Sequence, residues 1–227
     1  RYYLNEFNYN SGNPNLESAK SHNFNLNYTL QGSYFFDLYY RDNGHYPSNL
    51  VFQDNEDFTI RTVYANVLES TSYGLDIAHG RSVTDFWYLY AYVSAFSEEE
   101  VFLAVESGNE AVSNSTKGIF VQVYNSFSIL KNGTFSGDLS FVRWPKFILG
   151  SYQIDPKTTL SVGLRKTLWN KRAELTLNFE DILNMTNSEL VSKYKNQYNG
   201  YFAKPETQYV RIGFKYNFGN FRLQDND

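Results

Sequence analysis

The chain has 227 residues, a formal net charge of −4 and no cysteine, which excludes disulfides and thiolate metal sites, and its scattered basic residues form no stripe suited to nucleic acid. Aromatic residues make up 19%, with 20 Tyr and 19 Phe, yet mean hydropathy is −0.49, so the apolar side chains are dispersed through alternating segments. No run approaches the roughly 20 apolar residues of a transmembrane helix, and a chain of this kind crosses a bilayer only as a barrel, where every backbone polar group finds a partner.

Taken in order, Tyr2 to Phe7 reads as a strand, and Asn8 to Lys20 as a polar loop. Phe24, Leu26, Tyr28 and Leu30 alternate with Asn23, Asn25, Asn27 and Thr29, the two-faced period of a strand. A turn at Gln31-Gly32-Ser33 leads into Tyr34, Phe36, Leu38 and Tyr40, with Asp37 on the other face. Asn43 to Asp57, with its Gly, Pro and acidic cluster, reads as a long exposed loop. The chain returns through Thr59 to Val67 and on through Tyr73, Leu75 and Ile77, and His79 to Asp85 connects to the most aromatic strand, Phe86 to Phe96. Ser97-Glu98-Glu99-Glu100 and Glu106 to Lys117 predict another large loop. Ile119 to Ile129 forms the next strand, and Asn132-Gly133 predicts a type I′ hairpin turn. Phe135 to Val142 follows, ended or bent by Arg143-Trp144-Pro145, because proline cannot donate to a ladder. Leu160 to Leu164 and Leu175 to Phe179 alternate on either side of the basic turn Trp169 to Arg172. Asp181 to Gln208 is polar and non-alternating, with helical turns expected around Ser188 to Lys193.

The last regular segment is the most regular of all. Val210, Ile212, Phe214, Tyr216 and Phe218 alternate with Arg211, Gly213, Lys215 and Asn217 before Gly219-Asn220. Its apolar residues end in aromatics, as where a strand leaves hydrocarbon for a headgroup layer. Short connections alternate with long ones along the chain, the habit of outer-membrane barrels. The expected fold is all-β: a transmembrane antiparallel β-barrel with about ten strands present, spanning residues 1–220, with 221–227 a short periplasmic tail. Because the sequence opens at Arg1 without a signal peptide, and its first strand reads as truncated, it is expected to be the C-terminal part of a longer or processed protein.

Several motifs, in this order and spacing, carry a family resemblance over essentially the whole chain. They are Gly12-Asn13-Pro14-Asn15-Leu16 before Ser21-His22-Asn23-Phe24-Asn25-Leu26, then Ser72-Tyr73-Gly74-Leu75, Leu160 to Lys166, Leu175 to Asn184, and Tyr216-Asn217-Phe218-Gly219-Asn220. The chain resembles the C-terminal region of the Bacteroidota outer-membrane β-barrel family related to TonB-dependent receptors. The resemblance implies a full barrel of 22 strands around a plug, with uptake of a nutrient ligand energised through TonB. It further implies outer-membrane lipids, the barrel insertion machinery, TonB through an N-terminal part, and a surface lipoprotein or other outer-membrane subunits as partners. The chain departs from that pattern in lacking the plug, the TonB-contacting segment and about a dozen strands. A non-transporting barrel serving as a structural subunit or docking platform is the alternative.

No constellation demands catalysis, and no cofactor or metal is expected. His22, His45 and His79 fall on separate strands without metal-site spacing, and no convergent Ser, His and acid set can be assembled. Glu98, Glu99 and Glu100 have the oxygen ligands of a divalent-cation site, but a solvated loop is the plainer reading. Asp37, Asp76, Asp138, Arg165, Glu174, Arg211 and Lys215 fall on polar strand faces as candidate lumen-lining residues. Trp144, beside Pro145 at an outer rim, is the candidate ligand contact, while most other aromatics read as girdle residues. Phe214, Tyr216 and Phe218 are the candidate signal for barrel assembly, read by edge pairing of the last strand.

Overall fold

The structure, a computed structural model, describes residues 1–130 and 132–218. Seventeen strands follow one another: β1 (Tyr2–Tyr3), β2 (Asn8–Ser11), β3 (His22–Leu30), β4 (Tyr34–Asp42), β5 (Pro47–Asp54), β6 (Thr59–Asn66), β7 (Glu69–Thr84), β8 (Trp87–Ala104), β9 (Glu110–Ser128), β10 (Phe135–Trp144), β11 (Phe147–Leu149), β12 (Tyr152–Ile154), β13 (Lys157–Leu168), β14 (Ala173–Glu180), β15 (Ser188–Tyr194), β16 (Gln197–Ala203) and β17 (Tyr209–Tyr216). Nine of them form one antiparallel sheet in the order β17-β14-β13-β10-β9-β8-β7-β4-β3. The other eight make two small sheets, β1-β2-β6-β5 and β11-β12-β15-β16.

One face of the large sheet is an apolar belt. The register aligns Leu26, Leu38, Leu75, Ala95 and Ile119 in one row. A lower row runs Trp87, Phe127, Gly137, Leu164, Leu177 and Ile212. The belt stands open on inner strands as well as at the edges: Leu26 is 67%, Leu75 38%, Ile119 57% and Ile212 73% exposed. On the same face the belt stops at Ser97 opposite Lys117 and Glu99 opposite Ser115. Phe24, Tyr40 and Tyr73 stand beside that border, and Trp169, Phe214 and Tyr216 cluster at the other. An exposed apolar band between aromatic borders is what hydrocarbon between two headgroup layers selects.

Among the described residues the sheet does not close. β3 and β17 are its two edges, every residue of β3 is exposed, and the β3–β4, β7–β8, β9–β10 and β13–β14 connections lie along one rim. There, Gln31 (φ 51°) and Gly32 (φ 65°) are the central residues of the turn in the three-residue connection from β3 to β4, with Ser33 N donating to Leu30 O. Both central residues are left-handed, the type I′ geometry. The turn expected at Asn132-Gly133 is instead a longer loop between Ser128 and Phe135, in which Asn132 Oδ1 accepts from Thr134 N and Oγ1.

Other expectations are corrected on the opposite rim. Tyr2 to Phe7 is not a barrel strand: β1 and β2 belong to a small sheet, so the large sheet has nine strands where ten were expected. Asn43 to Asp57 is not an exposed loop, because β5 buries Ser48, Leu50, Val51 and Phe52. Thr59 to Ile77 divides into β6 and β7, which sit in different sheets. Ser97 to Glu100 and Glu110 to Lys117 are strand, since β8 and β9 continue as one unbroken hairpin past the belt to Ala104 and Glu110. The helical turns expected near Ser188 are β15, paired with β16. The Gly219-Asn220 end and the 221–227 tail lie outside the described residues.

The packed core is therefore not in the large sheet. Leu50, Phe52, Val63, Val67, Phe102, Ala104 and Tyr194 cluster where the two small sheets meet the extension of β8 and β9, with Phe102 only 1% exposed. This cap lies beyond the belt, in water, where burial of apolar area is favourable. The belt's own apolar area meets lipid instead.

Candidate functional site

The face opposite the belt collects the polar residues picked out in the sequence. Register places Asp37 opposite Asp76, Asp138 opposite Gly163, Arg165 opposite Thr176, Glu174 opposite Lys215 and Arg211 opposite Asn178, all on this one face. Charge gathers at its flanks. On the β3 side, Asp37 and Asp76 border a pocket of 270 Å³ with Asn27, Phe35, Ala78 and Tyr92. On the β17 side lie Arg165, whose Nε donates to Ser136 Oγ at 3.2 Å, and the Glu174–Lys215 and Arg211 positions.

Between the flanks the face is largely aromatic, with one carboxylate, Asp138, on β10 opposite Ser126 and Gly163. β8 contributes Tyr88, Tyr90, Tyr92 and Phe96, and β9 contributes Phe120 and Tyr124, with Ser94, Gln122, Ser126, Ser136 and Ser140 among them. Trp144, the last residue of β10, lies on this face too. It packs edge-on against Phe120 at 6.0 Å, and Phe120 packs against Tyr92 at 5.7 Å. The Lys157 ammonium stands 5.0 Å from the Trp144 ring, a cation–π distance. Most aromatics other than Trp144 are expected in the girdle, but of those on β8 only Trp87 lies on the belt face, its Nε1 donating to Asn125 Oδ1 at 2.9 Å. Both parities of β8 are apolar or aromatic, and that double pattern is the signal that this strand has no plainly polar side.

The cap rests on the same side of the sheet. Beyond the belt, the even-numbered residues of β8 and β9 face it, and each holds a piece of it. Glu98 Oε1 accepts from Ile148 N at 3.0 Å, and Glu100 Oε2 accepts from Ser48 Oγ at 2.9 Å. Asn114 Nδ2 donates to Gly150 O at 2.7 Å and to Tyr152 O at 3.0 Å. The acidic run is thus a fastening: Glu98 and Glu100 bind the β11 hairpin and β5, while Glu99 points to the opposite face beside Ser113. Burial pushes both the Glu98 and Glu100 carboxyls above the ordinary value, partly offset by the Ile148 N–H on Glu98 and the Ser48 hydroxyl on Glu100.

The two small sheets are joined by side chains that complete the free edge of β5. Ser151 Oγ accepts from Val51 N at 3.1 Å, Tyr194 Oη donates to Val51 O at 2.9 Å, and Gln197 Nε2 donates to Gln53 O at 2.9 Å. Gly150 (φ 58°) lies so close that a Cβ there would come 1.9 Å from Asn49 O. Burial also raises the Tyr152 and Tyr194 phenols.

The histidines stay apart. His79 stacks on Tyr34 at 4.0 Å and its Nδ1 meets Ser33 O, His45 Nδ1 meets Val67 O, and His22 opens β3. Phe214 and Tyr216 lie on the belt face of edge strand β17, and Phe218 follows it, 88% exposed. Asp181 was missed in the sequence. It is 3% exposed at the end of β14, where its Oδ2 accepts from Thr186 Oγ1 at 2.9 Å and Thr207 Oγ1 at 2.6 Å.

An up-and-down antiparallel sheet with an exposed apolar belt, aromatic borders, short turns on one rim and elaborate connections on the other is the wall of an integral outer-membrane β-barrel. The chain belongs to the outer membrane protein beta-barrel family, whose family model matches residues 1–216. No curated protein and no solved structure matches it.

Proposed function

We propose that this chain forms the C-terminal part of a larger barrel of the TonB-dependent receptor type, with the face opposite the belt as its lumen and the cap as part of its outer, ligand-receiving surface. The observation that carries the reading is the parity of the large sheet. Nine antiparallel strands leave β3 and β17 running in the same direction, so joining them directly would make a parallel seam. Inserting an odd number of further up-and-down strands closes the wall with antiparallel pairs throughout and satisfies both edges, which hydrocarbon otherwise makes expensive. Two copies placed edge to edge would create parallel seams again. A complement of about 13 strands, as the resemblance to 22-strand receptors implies, is odd.

In this reading the outer cap captures a nutrient ligand, displacement of a plug energised through TonB opens the lumen, and the protein is a transporter with no catalytic step. The unpaired β17, with Phe214, Tyr216 and Phe218 on one side, is the strand that the insertion machinery would read by edge pairing. The packed cap also favours a second reading, a docking platform for a surface lipoprotein or other outer-membrane subunit.

The test is the intact mass of the native protein extracted from outer membranes in detergent and left unboiled. A covalent chain well above 26.4 kDa, carrying a plug and a TonB-contacting segment upstream, is the expected result. A chain near that mass would overturn energised transport and leave a pore or platform.

A further inference from the structure

We infer that a groove on the lipid-facing side of the wall, where β9 parts from β10 at the outer border of the belt, binds the phosphate headgroup of an outer-leaflet lipid. The inference rests on the reading of the cap as the outer side and goes beyond it by assigning a site outside the lumen. β10 leaves the ladder at Arg143 opposite Val121, while β9 runs on outward to Glu110 beside β8. The notch so formed opens into a cavity of 730 Å³ whose lining includes Ala95, Lys117, Ile119, Arg143 and Lys146. Parity puts the first four of these on the belt face. The groove therefore has belt for its floor and cations for its outer lip.

Charge selects the ligand. Arg143 stands in the same row as Val93 and Val121, on the face that meets lipid, where an unpaired cation is costly. Within the described residues its side chain bonds only a neutral hydroxyl, Nη1 donating to Thr158 Oγ1 at 3.1 Å, which leaves most of the guanidinium fork free. Lys117 closes the belt opposite Ser97, about 13 Å along β9 from Val121, and Lys146 lies on the strap that leaves β10. All three are exposed, and among the described residues none of them forms an ion pair. Glu99, in the next row out on the same face, is bonded to Ser113 Oγ. A long cationic side chain rooted at the edge of hydrocarbon extends its head into the headgroup layer. The anion it meets there is a lipid phosphate, held by charge-assisted hydrogen bonds. Acyl chains attached to that phosphate lie over Ala95 and Ile119, and this apolar floor suits a lipid where it would give a free anion nothing.

The test places the native detergent-extracted protein in zwitterionic phosphatidylcholine nanodiscs doped with a diphosphorylated glycolipid or with the same glycolipid dephosphorylated. Native mass spectrometry then counts the lipid retained. Retention of the phosphorylated form is expected, weakened about fivefold by Lys117→Gln or Arg143→Gln and about twentyfold by both. Lys117→Arg, which keeps the charge, should retain it within about twofold. Arg81→Gln, which removes a belt-face cation at the turn rim, should change nothing. Equal retention of the two glycolipids, unchanged retention by the double variant, an equal loss with Arg81→Gln, or displacement by inorganic phosphate alone would overturn the site. So would a photocrosslinker at Ile119 that captures protein instead of lipid in native membranes. The underlying orientation is checked separately in intact cells. Asp57→Cys, exposed on the cap, should react with a membrane-impermeant maleimide, and Lys171→Cys, exposed at the turn rim, should not. The reverse would sink the outer-side reading, whereas correct labelling without lipid retention would sink only the groove.

Discussion

Single side chains decide how the strands turn and where they stop. At the rim between β13 and β14, Trp169, Asn170 and Lys171 all have positive φ (52°, 52° and 68°), a conformation that costs a non-glycine residue about 1 kcal/mol or more. Trp169 is held by contact with Phe214 and Tyr216, but Lys171 has no such hold. Lys171→Gly is therefore expected to raise resistance to thermal unfolding by about 0.5–1 kcal/mol, read as a higher temperature for loss of the fast-migrating unboiled form. Asp181 works in the other direction. Removing its carboxylate takes away the acceptor shared by the buried Thr186 and half-buried Thr207 hydroxyls and leaves them only each other, so Asp181→Ala is expected to destabilise the outer end of β14 by about 1–3 kcal/mol. Protease cutting between residues 182 and 208 reads this, and an unchanged cutting rate would show that the bond between the two threonines holds the segment without the carboxylate.

At the scale of elements, the belt strands were legible in the sequence because lipid and water impose different residues on alternate positions. β3, β4, β10, β13, β14 and β17 fall where the alternation puts them. The cap was not legible. Leu50-Val51-Phe52 is a run without alternation because both sides of β5 are covered, and a short buried run flanked by Gly, Pro and acidic residues reads as loop. Likewise β15 looked helical because its pairing with β12 and β16 is tertiary. The candidate site divides in the same way: the seven polar positions could be assigned to one face by parity, but not the aromatic stretch between the flanks, which depends on register across strands. Two measurements address the cap. Gly150→Ala adds a Cβ into Asn49 O at a left-handed position and should release the β11–β12 hairpin, seen as faster amide exchange at Ile148 and Val51 with the belt strands unaffected. Acidification should do the opposite. Glu98 and Glu100 are harder to ionise folded than unfolded, so the folded cap binds more protons between the ordinary glutamate value and the raised one. Cap stability then falls as pH rises through that window and is greatest below it. Amide protection at Ile148, corrected for intrinsic exchange, should increase as pH drops from 8 towards 5, and Glu98→Gln with Glu100→Gln should flatten the dependence.

At the scale of the whole molecule, the absence of cysteine from these 227 residues lets pairs of introduced cysteines test closure. β14 and β17 are neighbours with Thr176 opposite Gly213, so Thr176→Cys with Gly213→Cys should form a disulfide and serve as the control. The edges give the decisive pair. If the wall closed on itself, β3 would lie beside β17 in parallel, and one of the pairs Asn25→Cys or Asn27→Cys with Gly213→Cys would oxidise. With intervening strands the edges stand apart, well beyond the roughly 7 Å between Cα atoms that a disulfide tolerates, and neither pair should form. Both edges carry the same demand, because a row of open N–H and C=O groups at belt depth has no water to satisfy it. The expected outcome is a control disulfide in nearly all molecules and none between the edges. Edge disulfides at control levels would mean a nine-stranded barrel with one parallel seam, too narrow for a plug, and the aromatic face would then be packing for a filled interior instead of a path through it.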